Sequence, residues 1–179
     1  MAKRESNNKA NYSSLAGEFA VLSQLNLREF DASLTLGNTK GIDILVSDPK
    51  SGRQKRIEVK TKIGGTKSGI LRRRHFGEFL CEWQMGEKHE EIIDPNLLYC
   101  FVHFSSNADS SPRFYVVPSE VVATYVKKQH AHWGKQLNLK GEQYSETPMR
   151  MFRIGLEDHE YTIHPTPLST EYLGRWDLI

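Results

Sequence analysis

Residues 41–62 read GIDILVSDPKSGRQKRIEVKTK, and the punctuation of this stretch decides what the chain around it can be. Ile42–Ser47 is apolar and β-branched, Asp48-Pro49-Lys50-Ser51-Gly52 is dense in turn residues, and apolar and charged positions alternate through Ile57–Lys62. Proline presets φ, glycine supplies positive φ, and Asp and Ser bond back to nearby amides, so the two runs are expected as antiparallel neighbours joined by a tight connection. Side chains alternate along a strand, which puts Ile57, Val59 and Thr61 on one face and Glu58, Lys60 and Lys62 on the other. One face packs, and the other is left holding charge.

Working outward, Leu15, Phe19, Leu22 and Leu25 recur at three- and four-residue spacing. This predicts an amphipathic helix over 13–28, capped by Ser13 or Ser14, with Glu18 on the border of its apolar stripe. Residues 1–12 are polar and aperiodic and read as a flexible basic arm. Ala32–Leu36 alternates as a strand before a turn-like 36–41. Beyond the hairpin, Gly64–Gly69 reads as a flexible loop, and 76–86 carries Phe79, Leu80 and Trp83 at helix-compatible spacing. Leu97–Phe104 is expected as a central strand and Arg113–Val117 as a shorter one. Pro118-Ser119-Glu120 opens a helix to about Gly134, and Met149–Ile154 is a late strand. The tail from Tyr172 to Ile179 is too apolar to hang free and is expected to dock on the core. The order indicates an α/β domain over 13–179, a mixed sheet flanked by helices.

The chain has 179 residues, 24 Lys+Arg against 22 Asp+Glu, and two cysteines. Its length suits one domain. No run approaches the ~20 apolar residues of a membrane span, and the start lacks a secretory leader, so a cytoplasmic protein with no membrane partner is expected. Cys81 and Cys100 read as small core hydrophobes in a reducing compartment. The net charge of +2 divides unevenly: residues 1–75 carry +8 and 76–179 carry −6. Lys50, Arg53, Lys55, Arg56, Lys60 and Lys62, then Lys67, Arg72, Arg73 and Arg74, surround a single acid, Glu58, within 50–74. Such density is the footprint of a phosphate-backbone binder.

Within this basic field Asp43 is expected beside Glu58, with Lys60 two residues further, about 6–7 Å along the strand. Two adjacent carboxylates repel, and burying them is costly unless a cation lies between. Mg²⁺ suits such a place, since it takes oxygen ligands and is usually held by one or two carboxylates together with substrate phosphate. An ammonium nearby can orient water and offset charge growing on phosphorus.

Asp43, fourteen residues, then Glu58-Val59-Lys60, preceded by a helix carrying Glu18 in Ala16-Gly17-Glu18-Phe19, resembles the core of the PD-(D/E)XK nuclease superfamily over residues 13–62. Ile42 stands where the name-giving pattern has proline. The resemblance implies a restriction-endonuclease-like αβββαβ core and Mg²⁺-dependent hydrolysis of DNA phosphodiesters, with Mn²⁺ able to substitute. It implies Asp43 and Glu58 as metal ligands, with the Val59 carbonyl as a further one. Lys60 would position or activate water, and Glu18 would support the metal directly or through water. Lys62, Lys67, Arg72, Arg73 and Arg74 would contact phosphates without reading sequence. Restriction, repair and junction resolution are all compatible, and a homodimer would cut both strands of a palindrome.

A binding module that keeps the fold without catalysis is the competing reading, and the intact Asp43, Glu58 and Lys60 weigh against it. His130-Ala131-His132 points its two rings in different directions along a helix and lacks further ligands. Trp83, Trp133 and Trp176 are expected as core anchors.

Overall fold

A computed structural model describes residues 2–35, 41–65, 79–106, 110–138, 140–155 and 166–179, with side chains from residue 11 onward. Chain contacts divide into two compact units. One comprises Met1–Gly64, Pro95–Pro118 and Leu173–Ile179, and the other Gly65–Asp94 and Ser119–Tyr172.

The first unit holds helix α1 (Ala2–Asn26) and strands β1 (Asp31–Leu34), β2 (Ile44–Ser47) and β3 (Gln54–Ile63). It also holds strands β5 (Leu97–Phe104) and β6 (Arg113–Pro118). They form a mixed sheet in the order β1-β2-β3-β5-β6, with β3 and β5 parallel and the other neighbours antiparallel. The expected hairpin is present. Asp48 accepts from the Lys50 amide at 2.9 Å and the Ser51 hydroxyl at 2.6 Å, and its carbonyl accepts from the Gly52 amide at 2.7 Å. Gly52 sits at φ +73, in the left-handed region that side chains disfavour. The β2 ladder covers only Gln54–Ile57 of β3, while β5 pairs with β3 from Arg56 to Ile63. Past Ile57, β2 therefore leaves one edge of β3 uncovered.

The core of this unit packs Val21 and Leu25 of α1 against Ile44, Val46, Ile57, Val59, Leu98, Cys100, Val102 and Val116. Full burial of each large aliphatic side chain contributes about 1.5–3 kcal/mol. Trp176 and Ile179 join the same cluster, so the C-terminal segment docks as its composition predicts. Two details of α1 differ from the sequence reading. The helix starts at Ala2, making residues 2–12 helical where an arm is expected. Its inward face is also different: Leu15 and Phe19 are 46% and 56% exposed. The buried face is Gly17, Val21 and Leu25, four residues apart. Gly17 explains the choice. A Cβ there would lie 1.8 Å from Thr61 Oγ1, so the helix backbone presses on β3 in a way only glycine permits.

The second unit contains β4 (Phe79–Gly86) paired antiparallel with β7 (Met149–Gly155), helix α2 (Ser119–Gly134) and the short helix α3 (Ser169–Tyr172). The region 76–86, expected from its spacing as helical, is thus a strand from Phe79. Phe79, Cys81, Trp83 and Met85 are buried on alternate positions, and the β7 ladder outweighs the coincidental helical spacing of Phe79, Leu80 and Trp83. Glu82 is also buried and pairs with Arg153 of β7 at 3.1 Å. The connection from β3 to its parallel neighbour β5 runs, among the described residues, through β4 and a 3₁₀ turn at Glu87–Glu90. Cys81 and Cys100 are buried free thiols. Trp83 and Trp176 are core residues, whereas Trp133 stacks on Tyr144 with ring centroids 4.5 Å apart. No helix among the described residues is long and apolar enough to cross a membrane.

Candidate active site

The site grows from the point where β2 stops covering β3. Ile44 pairs with Ile57, so one step further the register sets Asp43 opposite Glu58. The Asp43 amide donates to the Ile57 carbonyl at 2.9 Å, and the Asp43 carboxylate turns back to accept from the Val59 amide, Oδ2 to N 2.6 Å. The side chain thus occupies a place on the β3 edge that a β2 residue would otherwise fill. Glu58 is 3% exposed and is held by the Lys60 ammonium, Nζ to Oε1 2.6 Å. Across the parallel ladder Tyr99 stands opposite Glu58, and its phenol hydrogen-bonds to that carboxylate. Burial first, and then the Glu58 charge, drive the Tyr99 phenol far above its ordinary pKa, so it stays a donor.

Helix α1 brings in a third carboxylate. Glu18 is half-buried, Ser14 Oγ donates to its Oε1 at 3.0 Å one turn earlier, and its charge acts on Asp43. The consequence falls on Asp43. Burial holds its carboxyl above the usual range, Glu18 and Glu58 add to that rise, and the Val59 amide and Lys60 oppose it. An aspartate held this way is poised to take either a proton or a cation.

Glu18, Asp43, Glu58, Val59 and Lys60 are therefore neighbours in the first unit, with Val59 contributing its amide to Asp43. Lys62 lies further along β3, beside a groove shared with Ser13 and Ser14. Lys67, Arg72, Arg73 and Arg74 lie outside the described residues. Among the described residues no group of three or more His, Cys, Asp or Glu is placed to hold a metal ion. The donors that meet are the facing pair Asp43 and Glu58, an all-oxygen set of the kind Mg²⁺ uses with its own waters and a substrate phosphate. His130 is engaged elsewhere, with Nε2 2.9 Å from Glu146 Oε1.

Two participants escape the sequence reading. Ser14 had a local signal, its position one helical turn before Glu18. Tyr99 had only a general one, a phenol inside an apolar run that needs a partner when buried, and the strand order that gives it Glu58 is not local information.

No family model matches the sequence, and no curated protein matches it. Among solved structures, the bacterial homing endonuclease I-Ssp6803I is similar to this chain at 14% identity and a TM-score of 0.48, over 93% of this chain and 87% of that one.

Proposed function

We propose that the chain is a Mg²⁺-dependent endonuclease of the PD-(D/E)XK type that hydrolyses DNA phosphodiester bonds. The observation that carries this reading is Asp43: a partly buried carboxyl, raised by its surroundings, directly opposite a buried carboxylate that is tied to a lysine. Evolutionarily idle strand faces have no need to bury two acids side by side, since desolvation opposes both.

Asp43 and Glu58 would hold the ion, with Glu18 supporting it from α1. Bound there, Mg²⁺ would supply Lewis-acid polarisation of the phosphoryl oxygen and a lowered pKa for water. The protein's own residues do the rest. Tyr99 and Lys60 hold the Glu58 carboxylate in a fixed direction, and the Val59 amide does the same for one oxygen of Asp43. An ammonium has three donors, so Lys60 can keep Glu58 and still turn hydrogens toward the attacking water or a phosphate oxygen. In hydrolysis the water oxygen bonds to phosphorus as the bond to the leaving sugar oxygen breaks. Lys60 offsets the negative charge that grows during this exchange. Two copies of the chain acting as a homodimer would cut both strands.

The test is cleavage of supercoiled plasmid with Mg²⁺, then Mn²⁺, by wild type, Asp43→Ala and Lys60→Ala. The expected result is nicking or linearisation by wild type, abolished by EDTA. Both variants should fall about a thousand-fold, near 4 kcal/mol of transition-state stabilisation, while still binding DNA. Wild-type rates in Lys60→Ala would overturn the mechanism. Binding without cleavage under either metal would replace it with a non-catalytic nucleic-acid module.

A further inference from the structure

Beyond Lys60 the same face of β3 continues to Lys62, and the strand runs beside α1. Gly17 is pressed on Thr61, and next to that contact an open groove of about 480 Å³ lies between the Ser13–Ser14 turn of α1 and residues Val59–Ile63 of β3. Its lining chemistry is one-sided. Lys60 and Lys62 line it together with Ser13, Ser14 and Thr61, and no carboxylate does. Lys60 is tied to Glu58, whereas Lys62 has no ion-pair partner among the described residues. Lys60 belongs both to the groove and to the carboxylate site, so the two are continuous.

The spacing is informative as well as the charge. Alternate residues of a strand lie about 6–7 Å apart on one face, which is comparable to the through-space step between successive phosphates of one nucleic-acid strand. Lys60 and Lys62 are alternate residues of β3. We propose that the groove seats the backbone phosphate next to the scissile one, with Lys62 as its cation and the Ser13–Ser14 turn as its opposite wall. This rests on the nuclease reading for its register, because Lys60 marks the scissile phosphate. The site binds a nucleic-acid strand through its backbone and reads no base. It fixes which phosphate of the strand stands beside Asp43 and Glu58.

The experiment measures affinity for a fluorescent DNA duplex in EDTA, where nothing is cut, across a range of salt. It compares wild type, Lys62→Ala, Lys62→Arg and Ser13→Ala. One lost phosphate contact lowers the slope of log affinity against log salt by about 0.9. Lys62→Ala is expected to show this loss, and Lys62→Arg to recover it. Ser13→Ala should weaken binding a few-fold with the slope unchanged. Matching thermal melts exclude misfolding as the cause. In a second arm, a methylphosphonate that neutralises the phosphate beside the mapped cut should weaken wild type and leave Lys62→Ala unaffected.

Wild-type slope and affinity in Lys62→Ala would overturn the proposal. So would loss of inorganic phosphate binding in that variant with DNA binding intact, because the groove would then be a free-anion site. The outcomes separate the two readings. Cleavage by wild type with no effect of Lys62 leaves the nuclease and removes the groove. No cleavage with a lost salt slope leaves a strand-binding groove and removes the nuclease.

Discussion

Two carboxylate–cation pairs among the described residues, Glu82–Arg153 and Glu58–Lys60, resemble each other as contacts and differ in everything around them. In the second unit Glu82 and Arg153 are both nearly inaccessible, their side chains 8% and 4% exposed, and the guanidinium also lies 5.3 Å from the Phe79 ring centre. Arg153 also acts on the Tyr125 phenol, whose pKa burial pushes up to about 12 while the guanidinium charge opposes the rise. That pair is closed: its charges are matched and its surroundings are apolar or already bonded. In the first unit Glu58 is equally deep, but Lys60 is 26% exposed and a second carboxyl, Asp43, stands opposite with its pKa raised. That pair is open, with more negative than positive charge at hand. A closed pair explains itself as structure, while an open one leaves negative charge that a cation from solution would balance.

Breaking the closed pair should have the largest effect. Arg153→Ala leaves Glu82 buried and unpaired and is expected to cost about 3–5 kcal/mol. Replacing both residues, by Glu82→Leu with Arg153→Met, should come out near neutral in denaturant melts. If the double variant is as unstable as the single one, the pair is not closed in the sense argued. Lys60→Ala should cost less, about 2 kcal/mol, because Glu58 keeps Tyr99 and has a route to water through the exposed side of the site. A larger loss than in Arg153→Ala would reverse the comparison.

The smallest effect is the most diagnostic. Asp43 has a folded-state pKa above its unfolded one, so without a cation its ionisation opposes folding. The penalty is absent below the unfolded pKa and complete once pH passes the folded one. Asp43→Asn, which keeps an oxygen for the Val59 amide, should therefore melt slightly higher than wild type at neutral pH, with the difference vanishing as pH falls. Mg²⁺ should raise the wild-type melting temperature and leave the variant unmoved. A pH-independent difference would mean that the carboxyl is not under the stress described.

Much of this was legible in residues 41–62, because a turn with its own hydrogen-bonding side chains fixes a register without help from the rest of the chain. From Asp48 to Gly52 the bonds are local, and Asp43 facing Glu58 follows by counting. What failed was the choice between competing faces and periods. Leu15 and Phe19 carry more apolar surface than Gly17, yet close approach of backbones decided which side of α1 turned inward. In Phe79–Met85 a period of two and a helix-like spacing coexist, and only the distant strand β7 resolves them. Tyr99 belongs to the same class, since its role depends on β5 lying parallel to β3 across a long connection.

Gly17 has no functional group, but it works as a gauge. The hydrogen in place of its side chain sets how near α1 can come to Thr61, and Glu18 is the next residue along that helix. The reach of the third carboxylate toward Asp43 is thus specified by a position that no search for reactive residues would visit. On the nuclease reading proposed above, an added methyl group there would register as a defect in cleavage although no chemical group had been removed.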